Sequence, residues 1–210
     1  VTLNSTLRED KQHPMVNNNP ELAQELIDQY KLEIEIDPEG HPSIQQRSFL
    51  ARRNELARFI QFQLDGIRWE SAGEDAHKKF EQIGLDVEDD DSFGGLPPPT
   101  LDPHLIQFEI LNAGTLMAQQ TPIIIVNEPI QIVTGENKEI RYNRNYPRWA
   151  YDQYLELMNI ESERNSWLYR DFWDILPPTE FTDSAVHRTV KGERILAQEI
   201  MDVILETACP

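Results

Sequence analysis

The sequence predicts an α+β protein, predominantly helical, with a small antiparallel β-sheet or hairpin in its centre at about residues 122–142. Three observations carry that expectation. Apolar residues recur at helical spacing on both sides of the centre. The β-branched runs Ile123–Val126 and Ile130–Val133 interrupt that period. Between them stands the turn-forming Asn127-Glu128-Pro129.

The elements follow in order. Residues 1–19, which include Asn17-Asn18-Asn19, carry no period and read as an extended N-terminal arm. Pro20 suits the first turn of a helix, where its missing N–H would be unpaired anyway, and Asn19 can cap it. Leu22, Leu26, Ile27 and Tyr30 supply that helix with an apolar face, and Leu32–Ile36 then alternates as a short strand would. A turn at Asp37–Pro42 leads to Ser43, which caps the strongest helix in the chain. Its stripe is Phe49, Leu56, Ile60, Leu64 and Ile67, widened by Phe59, Phe62 and Trp69, with Arg47, Arg52, Arg53 and Arg58 on much of the remainder. A further helical stretch from Glu74 to Ile83 is closed by Gly84, so residues 20–84 form a helical region.

Residues 85–103 read as an acidic Pro/Gly linker. Asp86, Glu88, Asp89, Asp90 and Asp91 crowd together, and Gly94-Gly95 and Pro97-Pro98-Pro99 follow. Such a composition has little apolar surface with which to order itself. Residues 104–210 then hold the small sheet followed by helices. Leu105–Met117 fits helix and strand equally, and Glu139–Tyr142 supplies a third β-run. Trp149, Tyr154, Leu155 and Met158 form one helical face. Trp167, Leu168, Phe172, Trp173 and Ile175 form another that Pro177-Pro178 stops. A last helix from near Asp183 carries Val186, Val190, Ile195, Leu196, Ile200, Val203 and Ile204.

Composition narrows the function classes. The chain holds 37 acidic against 19 basic residues, a formal net charge of −18. That excess repels phosphate backbones and anionic membranes. The one cysteine, Cys209, excludes an internal disulfide and a cysteine-built zinc site, and it fits a reducing compartment. No apolar run reaches the ~18 residues of a membrane span, and no signal pattern opens the chain. The expected location is therefore intracellular, or a virion. The first residue is Val1 rather than Met, which fits a processed product or a fragment.

Catalytic patterns are absent. The acidic run fails as an EF-hand, since position 6 from Asp86 is Asp91 and position 12 is Pro97. His13, His41, His77, His104 and His187 include no pair at i, i+4. His187 with Glu193 and Glu199 lacks the Glu-x-x-His pair of a bundle metal site. There is no nucleophile elbow, P-loop or dinucleotide fingerprint. Neither a metal nor another cofactor is expected.

Two residue groups invite contact with a partner. Arg52, Arg53 and Arg58 form one. Arg144, Arg148 and Trp149, near Arg141, Tyr142 and Tyr146, form the other, and Trp167 and Trp173 extend its aromatic surface. Tryptophan, tyrosine and arginine are the residue types enriched at binding hot spots. The expected function is thus a non-catalytic structural or interaction subunit of a larger protein assembly, for example a virion or phage particle component or a subunit of a cellular complex, that uses the extended arm at 1–19 and an aromatic helical surface and whose partners are copies of itself or other proteins. Two alternatives come from other classes. One is a metal-dependent enzyme such as a nuclease using Glu136 and Lys138 with Asp102 or Glu109. The other is an acidic inhibitor that mimics nucleic acid.

Overall fold

The computed structural model describes residues 1–7, 16, 19–32, 35–36, 53–72, 82–118 and 121–208. Among these the protein is about half helical, with one two-stranded sheet. The chain divides into two units, Val1–Arg8 with Phe80–Pro210, and Glu9–Lys79.

In the larger unit the chain begins with a short helical turn, α1 (Leu3–Thr6), whose Leu3 is wholly buried. Gln107 N–H donates to Thr6 at 2.8 Å, fixing this turn beside Ile106. Residues 85–103 belong to the same unit and contribute Val87, Phe93 and Leu101 to its interior. Asp102 caps a 3-10 turn at Pro103–Leu105 by accepting from His104 N–H. Helix α4 (Phe108–Met117) follows, which resolves the ambiguous 105–117 stretch. Strand β1 is Ile124–Asn127, helix α5 is Arg148–Asn165, strand β2 is Leu168–Asp171, and helix α6 is Val190–Ala208.

The expected antiparallel hairpin is not formed. β1 pairs with β2 in parallel, Ile124 opposite Leu168 through Asn127 opposite Asp171. A parallel pair needs a long crossover, and the chain from 128 to 167, with α5 in it, provides one. The second β-branched run finds no ladder. Ile130 N–H donates to Trp173, Gln131 N–H to Ala185 and Val133 N–H to Tyr142, three separate segments. Ile130, Gln131 and Val133 are buried, so the run is an interior thread rather than a hairpin arm. The third run, at 139–142, is mostly turn. Residues 168–171, expected to continue a helix, leave it because Ser166 takes a left-handed conformation (φ 55°) that ends α5.

The two faces of β1 meet different clusters, as strand alternation requires. Ile125 joins a core of Tyr142, Tyr146, Tyr151, Tyr154, Met158 and Trp167. Ile124 and Val126 pack with Phe172, Leu196, Ile200 and Val203. Helix α5 buries Ala150, Tyr151, Tyr154, Met158 and Ser162, one face at helical spacing.

The smaller unit contains α2 (Pro20–Tyr30) and α3 (Arg53–Ala72). Pro20 stands at the start of α2 as expected. Lys31, at φ 51°, closes it, and Leu32 N–H returns to Ile27 at 3.1 Å. Phe49, the Ser43 cap, Glu33-Ile34 of the alternating segment and most of the 74–83 stretch lie outside the described residues.

Candidate functional site

The candidate residues fall into three settings. Arg52 lies outside the described residues. Arg53 and Arg58 are exposed on α3. The second group lies in the larger unit, where its aromatic members pack inward. Trp167 is buried and its indole N–H points to Asn112 Oδ1 at 3.4 Å. Trp173 packs edge-on against Tyr142, ring centroids 4.9 Å apart. Trp149 donates to the Asp91 carbonyl at 2.6 Å, and Arg148 stacks over Tyr142 while donating to the Lys138 carbonyl. Only Arg144 of this group is fully exposed.

Arg141 organises the loops around it. Its buried guanidinium donates to the carbonyls of Asp90, Ser92, Asn143 and Arg144. A planar fork with five N–H groups can satisfy four carbonyls at once, which an ammonium cannot. Beside it lies a cavity of about 420 Å³ lined by Asp86, Val87, Glu88, Asp90, Arg141 and Arg144. Two of its acids are already engaged. Asp86 accepts from Glu136 N–H at 2.8 Å, and Asp90 from the N–H and hydroxyl of Ser92. The Ser92 N–H, then its hydroxyl, hold the Asp90 carboxyl below the usual carboxylate range. The acidic loop is thus folded onto the 135–144 turns, where Val87 N–H and the Glu136 carbonyl, and Gly135 N–H and the Leu85 carbonyl, pair.

A second polar cluster lies inside the aromatic core. Asn127 donates to Asp171 at 2.9 Å across the end of the parallel pair and receives the Tyr151 hydroxyl. Burial is the main cause that raises the Asp171 carboxyl and the Tyr151, Tyr154 and Tyr169 hydroxyls, and it pushes Tyr142 up to about 12, helped by the bond to Asp152. The buried Tyr154 hydroxyl lies beside Thr6, and the buried Tyr169 hydroxyl beside Asn127 and Asp171. Titrating groups this perturbed mark functional sites when they line a cleft. None of them lines the cavity beside Arg141, and the Asn127–Asp171 bond ties the end of β1 to the end of β2.

The enzyme reading needs converging ligands. Among the described residues no group of three His, Cys, Asp or Glu side chains is placed to hold a metal. Glu136 and Lys138 stand on the turn that receives the acidic loop. His187 pairs with Asp183 at 3.0 Å, ahead of α6, and lowers that carboxyl. Glu180 is lowered by Lys191, then by Thr189, and clamps the start of α6.

The third setting is the α3 face. Leu56, Phe59, Ile60, Leu64 and Ile67 are 39%, 60%, 49%, 51% and 63% exposed. The stripe was legible in the spacing; that solvent, not packing, covers it was not. Among the described residues no helix is long and apolar enough to cross a membrane. No protein-family model matches this chain, and neither a curated protein nor a solved structure does.

Proposed function

We propose that the protein is a non-catalytic interaction subunit of a protein assembly, and that α3 is its principal contact. The observation that supports this is the apolar stripe from Leu56 to Ile67, open to solvent along three turns. Burying one large apolar side chain is worth about 1.5–3 kcal/mol. Five such side chains on one helix face form a patch of the kind that marks an interaction site, and a helix of this length gains most of its stability by packing such a face. The formal net charge of −18 makes another protein a better-suited partner for this stripe than nucleic acid.

The test compares tagged wild-type chain with Ile67→Asp in extract of the native source. The expected result is a stoichiometric complex retained by the wild type and lost by the variant. A wild-type chain that runs only at its own mass of 24.4 kDa overturns the reading.

A further inference from the structure

No further inference is drawn: the strongest candidate, the cavity of about 420 Å³ between the acidic loop and the 141–144 turn, carries nothing, because its lining is a cluster of acidic side chains beside Arg141 and Arg144, Asp86, Asp90 and Arg141 are already engaged within the loops, and no second feature among the described residues points to what it would hold.

Discussion

The aromatic core around α5 and the exposed face of α3 use the same kinds of side chain to opposite ends. Tyr142, Tyr146, Tyr151, Tyr154 and Trp173 surround one another, with ring centroids 4.9 to 5.8 Å apart, at distances and tilts where aromatic pairs attract. Phe59, Ile60 and Ile67 have comparable apolar area and leave it in water. Apolar content alone therefore does not separate a structural segment from an interaction segment in this chain. What separates them is closure: α5 is enclosed on its inner face, and α3 presents a matching face with no described residue burying it.

The largest expected effect probes the closed side. Tyr151 is fully buried and touches four other rings. Tyr151→Ala should destabilise the larger unit by about 3–5 kcal/mol, the range for removing a large buried ring. Urea unfolding followed by tryptophan fluorescence measures it. Ile60→Ala, the same truncation on the open side, should move that transition by less than about 0.5 kcal/mol. An equal loss from both variants would abolish the distinction between the two regions.

Next in size is Arg141→Ala. It removes four donors from carbonyls on the 90–92 and 143–144 loops. Hydrogen bonds to a charged group run about 1.5–3 kcal/mol each in isolation, but they share one guanidinium, so a total loss of about 2–3 kcal/mol is expected. Arg141→Lys should recover little of it, because an ammonium lacks the planar fork. Hydrogen exchange at Phe93 and Leu96 amides, which bond each other's carbonyls in the acidic loop, reports whether the loop has come loose.

These residues also show how far the sequence could be read. The helical stretches at 20–30, 53–72, 148–165 and 190–208 follow from apolar spacing, which in 148–165 and 190–208 is also the cause of one-sided burial, whereas no described residue of 20–30 or 53–72 is buried. The sheet does not follow. β-branched runs disclose that Ile124–Asn127 is extended, but alternation carries no information about which strand it pairs with or in which direction. The nearby Ile130–Val133 was the obvious partner by proximity, and the actual partner, Leu168–Asp171, was hidden within a segment rich enough in apolar residues to pass for helix. Arg141 was visible only as one member of a basic group. Its part in folding the acidic loop depends on a contact with Asp90 and Ser92 about fifty positions away in the chain, which no local pattern encodes. On the α3 face the composition was legible and the exposure was not, since the same stripe serves a core or a partner equally well.

A smaller effect is expected from Asp171→Asn, and its sign depends on pH. Burial is the main cause that raises this carboxyl above its usual range, so folding favours its protonated form. The contribution to stability is fully present below the unfolded value and is lost as pH rises through the raised folded value. At neutral pH the charged side chain is therefore a liability. Asparagine keeps an oxygen for the Asn127 amide and carries no charge, so the variant should melt higher than wild type at neutral pH. The difference should vanish below about pH 4, where aspartate is protonated in the unfolded chain as well. A variant that melts lower at neutral pH would mean that the ionised form is the one the β1–β2 lock requires.

The smallest effect sharpens the contrast through glycine. Gly66 stands in the middle of α3, and a Cβ there would meet nothing within 4 Å. Gly192, in the first turn of α6, is the opposite case, since a Cβ there would lie 2.9 Å from the Glu180 carbonyl oxygen. Glycine within a helix costs about 0.5–1 kcal/mol relative to alanine. Gly66→Ala should therefore raise far-ultraviolet helicity and slow amide exchange in α3 by a corresponding few-fold, without shifting the urea transition of the aromatic core. Gly192→Ala should lower that transition, because the Glu180 turn must move to admit the methyl group. If Gly66→Ala instead stabilises the core transition, α3 folds together with the larger unit, and its face is no longer the independent surface that the contrast with α5 assigns to it.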